Sequence, residues 1–175
     1  MNKVFSLIIF ILLITSCSEG DIIENDIDFN ASLESCSNLN DNTFVFYKID
    51  DSINQALSLG FTSTTFEVDT VPEDLSITIP LNETTNTLFY RKFGSAINGA
   101  DYFCASVPPS GVTITQELIG SDGSIVITYT VDSTTSTETI YNRNIALQNV
   151  TIIGADRVIR QEVLEFGSDK ITITN

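Results

Sequence analysis

Apolar and polar residues alternate with a period of two along most of the chain beyond residue 26. Successive side chains of a β-strand point to opposite faces, so this period predicts strands with one buried face. Apolar spacing typical of a helix extends over no long segment, and a short helix is predicted only around Ser52–Ala56. We therefore predict an all-β domain. Its strands are expected at Ile27–Leu33, Thr43–Ile49, Leu57–Phe61, Leu75–Ile79, Leu88–Lys92, Tyr102–Cys104, Val112–Leu118, Ile125–Val131, Ile145–Ile152, Val158–Phe166 and Ile171–Ile173.

Turn signals separate these predicted strands. Asp122-Gly123 suits a type I′ hairpin turn because glycine tolerates positive φ, and Gly167-Ser168-Asp169 indicates a second hairpin. A change of phase between Leu147 and Val150 indicates a bulge. Roughly ten short strands with such turns are typical of an antiparallel β-sandwich, immunoglobulin-like or related, with a small β-barrel as the alternative.

The first 26 residues differ in character from the rest. Met1–Lys3 is short and basic, and Val4–Ile14 is predominantly apolar. This pattern predicts a signal peptide, because a membrane-spanning helix needs about 20 apolar residues. The chain is therefore expected to divide into a signal peptide at residues 1–16, a tether at 17–26 and one domain at 27–175.

The end of the leader carries a candidate lipidation site. Ile14-Thr15-Ser16-Cys17 resembles the bacterial lipobox, which implies cleavage before Cys17 and acylation of that residue. At roughly 0.8 kcal/mol per buried CH₂, several acyl chains anchor a protein almost irreversibly. The alternative is an ordinary secretory signal in which Cys17 occurs by chance. The residues that follow, Ser18-Glu19-Gly20-Asp21, resemble the acidic tether of surface-exported Bacteroidota lipoproteins, with a solvated linker as the alternative.

Charge and composition narrow the function classes. The chain has 175 residues and a formal net charge of −15, with neither His nor Trp. Nucleic acid is excluded as a partner, because its affinity depends on Lys and Arg contacts to phosphates. Without imidazole the chain lacks the usual catalytic base and the commonest transition-metal ligand. We expect no catalytic residues, no metal and no cofactor.

The number of cysteines bears on the cellular compartment of the protein. Apart from Cys17 the chain contains Cys36 and Cys104. In an oxidising envelope this pair favours a disulfide, with two buried free thiols as the alternative. Closing so long a loop would stabilise the fold by about 4 kcal/mol in the chain-entropy model.

Other polar groups are weak candidates for chemistry. Lys48, Lys92 and Lys170 are predicted to face solvent. Asp50-Asp51 is predicted to lie in a turn, with a calcium-lined loop as a remote alternative, and Asp26-x-Asp28 lacks the glycine and terminal glutamate of an EF-hand loop.

Two groups of residues are candidates for sugar chemistry. Exposed tyrosines could stack on sugar rings, although tyrosine in an alternating strand usually packs in the sheet. The candidates are Tyr90, Tyr102, Tyr129 and Tyr141. Three Asp-Ser/Thr segments match the pattern of periplasmic O-glycosylation in Bacteroidota, with ordinary turn chemistry as the alternative. Their acceptors are Ser52, Thr70 and Ser133.

Several stretches together resemble uncharacterised lipoproteins of flavobacteria. They are Cys17-Ser18-Glu19-Gly20-Asp21, Phe44-Val45-Phe46-Tyr47-Lys48, Tyr102-Phe103-Cys104-Ala105-Ser106-Val107-Pro108-Pro109, Leu147-Gln148-Asn149-Val150-Thr151 and Glu165-Phe166-Gly167. The resemblance covers nearly the whole mature chain and implies no enzyme activity. It implies a lipidated Cys17 and a bridged Cys36–Cys104 pair.

The sequence thus predicts an outer-membrane lipoprotein, on the periplasmic or the cell-surface side, with a non-catalytic binding or structural domain. Its expected partners are the membrane, through the lipid anchor, and a glycan or an envelope protein. The alternatives are an accessory carbohydrate-binding protein of a glycan-uptake system and an envelope hydrolase that uses carboxylates. Coplanar exposed tyrosines would favour the first, and two facing carboxylates in a pocket would favour the second.

Overall fold

The structure is a computed structural model that describes residues 27, 31–38, 43–62 and 64–175. The predicted signal peptide and the predicted tether, including Cys17, lie outside the described residues. The elements are β1 (Glu34–Asn38), β2 (Thr43–Asp50), β3 (Gln55–Thr62), β4 (Ser76–Pro80), β5 (Asn86–Phe93), α1 (Gly99–Phe103), β6 (Ile114–Thr134), β7 (Glu138–Gly154) and β8 (Val158–Thr174).

The eight strands form one antiparallel sheet that curls into a half-barrel. Its strand order is β1-β2-β3-β5-β6-β7-β8, and β4 pairs with β6. β5 pairs with the first part of β6 and β4 with a later part, so both lie along the same edge of that long strand. The predicted all-β class is confirmed. The finer arrangement is one curled sheet rather than two stacked sheets, which brings it closer to the barrel alternative.

Two predicted hairpins are wrong, because β6 and β8 each continue through their glycine. Asp122-Gly123 lies within β6, and the pairing with β7 shifts register there. Gly123 has φ +115 and Gly167 has φ +150, so both adopt a backbone that favours glycine, but inside strands. A bulge increases the local twist and bends a strand, and such bends help a sheet to curl. The predicted bulge between Leu147 and Val150 is confirmed, with Asn149 at φ 52.

The concave face of the sheet holds the main hydrophobic core. Phe46, Leu59 and Leu88 come from the first part of the sheet and are fully buried. Ile127, Ile145 and Phe166 come from the long strands. Along β6 the buried positions alternate, at Ile125, Ile127 and Tyr129, as the period of two requires. β2 is the densest apolar segment and has three consecutive buried side chains, Phe46 to Lys48, as expected of a strand covered on both faces.

α1 covers the convex face of β1–β3. The ring of Phe103 stacks on Tyr47 with centroids 4.7 Å apart, and Tyr102 packs against Phe93 in a second, smaller core. Gly99 allows the close approach, because a Cβ there would lie 2.5 Å from the Tyr47 ring. The predicted strand at Tyr102–Cys104 is therefore wrong, and so is the predicted helix at Ser52–Ala56, which is a turn leading into β3.

A disulfide fixes this covering segment to the sheet. Cys36 in β1 and Cys104 at the end of α1 are bridged, with their Cα atoms 5.7 Å apart. The pair predicted from the cysteine count is thus present. The bridge holds the segment over an edge strand of only five residues, and a strand so short makes few contacts of its own.

The chain before β1 lies against the opposite edge of the sheet. A Cβ on Gly167 of β8 would lie 3.1 Å from the Cβ of Leu33, and Ile27 belongs to the main core. The predicted strand at Ile27–Leu33 is wrong for the described part of that segment, since the strand begins at Glu34. Leu33 therefore brings the two ends of the strand order, β1 and β8, close together.

Candidate functional site

A cavity of about 240 Å³ lies beside the segment that joins β3 to β4, and residues of that segment form most of its lining. Residues 64–75 of that segment, here called the lid loop, cross the inner face of the sheet. The floor is mainly apolar and is formed by Phe66, Val71, Pro72, Ile77 and Tyr129. The rim is polar, with three threonines and Glu67. The result is a small apolar recess with a hydrophilic mouth.

Hydrogen bonds fix the lid loop at both ends. At its start the amide of Thr65 donates to the carbonyl of Thr62, and this turn directs Phe66 into the core, 4.8 Å from the ring of Phe61. At its end the amide of Tyr129 donates to the carbonyl of Leu75 at 2.9 Å. Leu75 has φ 54, a left-handed conformation that turns the chain into β4.

A buried arginine holds the middle of the lid loop. Arg143 of β7 is 2% exposed, and its Nη1 donates to the carbonyl of Val68 at 2.8 Å. Its Nε and Nη2 donate to the two carboxylate oxygens of Asp169 on β8. The guanidinium carbon also lies 4.8 Å from the centre of the Phe46 ring, within the range of a cation–π contact.

The strand register places this arginine between its partners. Tyr129, Arg143 and Asp169 lie directly opposite one another on β6, β7 and β8. Burial raises the pKa of the Tyr129 hydroxyl, and Asp169 raises it further, while the charge and hydrogen bond of Arg143 act in the opposite direction. The phenol therefore remains neutral at physiological pH. The whole group orders the cavity floor, and its bonds are satisfied within the protein.

The lid loop is strongly acidic. Glu67, Asp69, Glu73 and Asp74 are all exposed, and residues 64–75 contain neither Lys nor Arg. Arg143 is buried and paired with Asp169, so its charge does not offset these four carboxylates at the surface. The mouth of the cavity therefore carries a negative potential.

The four candidate tyrosines form no exposed platform for a sugar. Tyr102 and Tyr129 are buried, and Tyr90 and Tyr141 are half-buried and pack against the main core. Burial raises the pKa of the Tyr90 hydroxyl, with Arg157 acting against it. A ring must expose a face to stack on a sugar, so these tyrosines serve packing.

The three predicted glycosylation acceptors are all exposed. Ser52 lies in the β2–β3 turn, where its hydroxyl donates to the carboxylate of Asp50 at 2.5 Å. Thr70 lies in the lid loop and donates to the carbonyl of Glu67 at 3.1 Å, and Ser133 lies near the end of β6. The hydrogen bonds of Ser52 and Thr70 are the local turn contacts that Ser and Thr commonly make.

The charged residues singled out in the sequence either make structural contacts or face solvent. Asp50 accepts a hydrogen bond from the amide of Ser52 and organises its turn, which accords with the predicted turn at Asp50-Asp51. Lys92 is exposed as predicted, and Lys170 donates to Asp132 at 2.8 Å, which helps lower the pKa of that exposed carboxyl. Lys48 contradicts its prediction, because its alternating position in β2 places it on the inner face, 8% exposed.

The next candidates are a metal site and a catalytic pair of carboxylates. Among the described residues no group of three or more His, Cys, Asp or Glu side chains could hold a metal ion, and Asp26 and Asp28 lie outside them. Glu34 and Asp51 line a second cavity of about 340 Å³ beside α1, but both are exposed. A carboxylic acid that serves as a general acid usually requires an apolar pocket, so this cavity does not favour a hydrolase.

Sequence reasoning missed the two main features of this site, Arg143 and the lid loop. The available signal was the position of Arg143 in the alternation of β7, because it shares its strand face with Tyr141, Ile145 and Leu147. A charged residue in the apolar phase of an alternating strand indicates a buried ion pair.

Comparison of the chain with protein-family models, curated proteins and solved structures found no match. Within the part of the chain that the structure describes, no helix has the length and apolar character needed to cross a membrane.

Proposed function

We propose that the protein is a lipoprotein of the cell envelope, of the type found in flavobacteria, anchored in the outer membrane through a lipidated Cys17. Its half-barrel domain is a non-catalytic binding module. The membrane contact is made by acyl chains, and the short acidic segment after Cys17 connects them to the domain.

The observation that carries this proposal is the Cys36–Cys104 disulfide. Disulfides persist in oxidising compartments such as the bacterial envelope, which agrees with export by the leader at residues 1–16. With two cysteines bridged, Cys17 is the remaining thiol of the chain, and it lies at the end of the leader. The lid-loop cavity supports a binding role, because it is a preformed apolar recess with a polar rim.

Metabolic labelling tests the anchor. Cells that express the full chain are grown with radiolabelled palmitate, and the protein is recovered from membrane and soluble fractions. We expect label and membrane association in the native chain and the loss of both in Cys17→Ala. Cys104→Ala serves as the matched control, because it removes a cysteine but should leave acylation intact. Equal labelling of native chain and Cys17→Ala, or no label in either, would contradict the proposal.

We also propose that Ser52, Thr70 and Ser133 accept O-linked glycans during export, since all three are exposed. Intact-mass measurement of the same preparations tests this directly. A mass explained by the peptide, one disulfide and acyl chains alone would exclude these sites.

A further inference from the structure

The lid-loop cavity is smaller than a typical ligand pocket. Pockets for drug-sized ligands usually occupy about 300–1,000 Å³, and this cavity measures about 240 Å³. Its apolar floor offers a place for one aliphatic or aromatic group. The lid loop beside it is fixed, because Phe66 packs 4.8 Å from the ring of Phe61 and the carbonyl of Val68 accepts a hydrogen bond from Arg143.

Exposed apolar side chains continue beyond the cavity. Leu75, at the end of the lid loop, is 38% exposed and its carbonyl bonds to the amide of Tyr129. Val131 follows Tyr129 by two positions on β6 and is 54% exposed. The apolar surface is thus longer than one residue, which suits an extended chain better than a compact small molecule.

The charge of the lid loop indicates which kind of peptide the cavity would bind. Glu67 lines the cavity, and the lid loop carries three more exposed carboxylates and no basic residue, while the protein as a whole has a net charge of −15. Complementary charge steers association and excludes partners of the same sign. An anionic or acidic partner would be repelled, whereas Lys or Arg side chains would be attracted to the rim.

From these observations we propose that the cavity docks an extended basic peptide segment, with one apolar side chain seated on Phe66, Val71 and Tyr129 and flanking Lys or Arg residues against the lid-loop carboxylates. This inference rests on the proposed binding role and assigns it a partner chemistry. It is independent of acylation. The apolar anchor supplies affinity through burial, and the rim supplies selectivity.

Three fluorescently labelled peptides test the proposal against the purified full chain. The probe is Lys-Lys-Leu-Lys-Lys, and its controls are Lys-Lys-Gly-Lys-Lys, which lacks the anchor, and Glu-Glu-Leu-Glu-Glu, which reverses the charge. We expect the probe to bind at least about tenfold more tightly than either control, and its affinity to fall as salt screens the rim. Spermine is included to report binding by charge alone.

Two matched sets of substitutions locate the site. The first neutralises the rim with Glu67→Gln, Asp69→Asn, Glu73→Gln and Asp74→Asn. The second makes the same change in net charge elsewhere with Asp51→Asn, Glu83→Gln, Glu162→Gln and Glu165→Gln, all exposed positions. We expect the first set to weaken probe binding about tenfold and the second to leave it nearly unchanged. Val71→Phe, which fills the recess, should abolish the preference for Leu over Gly.

Several results would overturn the inference. These are equal losses in the two sets, equal binding of the Leu and Gly peptides, binding of spermine as tight as that of the probe, or no binding of the probe to a chain with native circular dichroism and an unchanged melting temperature. A chain that incorporates palmitate yet ignores the probe would refute the docking site alone. A chain that binds the probe without label would refute the anchor alone.

Discussion

Arg143 is the largest of the fully buried side chains in the described part of the protein. A guanidinium loses much hydration energy on burial, and only close partners can offset that loss. Here Asp169 takes two of its donors, Val68 a third, and the Phe46 ring lies beneath it. The arginine thereby joins the long strands to the lid loop, and the shape of the cavity depends on it.

Removing the partner charge should therefore be costly. We expect Asp169→Asn to destabilise the fold by about 3 kcal/mol, because it leaves a buried cation without a counterion. Glu117→Gln is the matched control, since the Arg91–Glu117 pair is partly exposed and should contribute less than about 1 kcal/mol. Urea unfolding of the two variants provides the comparison. A similar small loss in both would show that Arg143 is better hydrated than its burial indicates.

At the scale of elements, β6 and β8 stand out as single strands of 21 and 17 residues. Each passes through a glycine with positive φ, and each shifts register against β7 nearby. The amide of Gly123 donates to the carboxylate of Asp122, and the carbonyl of Gly123 accepts a hydrogen bond from the amide of Leu81. The glycine thus serves a bulge that bends the strand around the core.

The bulge gives a direct test of this interpretation. A Cβ on Gly123 would lie 2.9 Å from the carbonyl oxygen of Gln148 and 2.9 Å from the Cα of Val150, in addition to the strain of φ +115. Gly111 has φ +91 but open space around it, so Gly111→Ala measures the strain alone. We expect losses in unfolding free energy of about 3 kcal/mol for Gly123→Ala and about 1 kcal/mol for Gly111→Ala. Equal losses in unfolding free energy for the two variants would mean that β7 moves away from the added methyl group without destabilising the fold.

These glycines also show where sequence reasoning reaches its limit. Period-two alternation identified β2–β5 and parts of each long strand, because it records which face is buried. Asp122-Gly123 has the same local chemistry in a hairpin and in a bulge, and pairing with β7 decides between them. The disulfide partners followed from counting cysteines, whereas the lid-loop cavity depends on Val68 and Arg143, which are far apart in the sequence. Contacts of that kind leave no local pattern.

At the scale of the whole molecule, one curled sheet encloses the core with help from three coverings. The lid loop crosses the inner face, α1 covers the convex face of β1–β3, and Leu33 lies against β8 where the two ends of the sheet meet. The disulfide fixes one of these coverings to the sheet. The described fold thus uses covalent and packing contacts where a closed barrel would use a further strand pairing.

Buried tyrosines in this enclosed body make alkaline stability a test of the whole fold. Burial raises the pKa of the Tyr47, Tyr90 and Tyr129 hydroxyls above their ordinary value of 10.0, and in Tyr47 the charge of Glu34 adds to the effect. In the unfolded chain these groups lose their protons near pH 10, while in the fold they retain them to higher pH. Their contribution to stability is therefore complete below pH 10 and is lost as the pH rises from 10 through the folded pKa values. Absorbance of tyrosinate should rise at higher pH in the native protein than in the urea-unfolded chain, and the unfolding midpoint in urea should fall over the same interval. Coincident titration curves for the two states would mean that water reaches these hydroxyls and that the sheet encloses its core less completely than described.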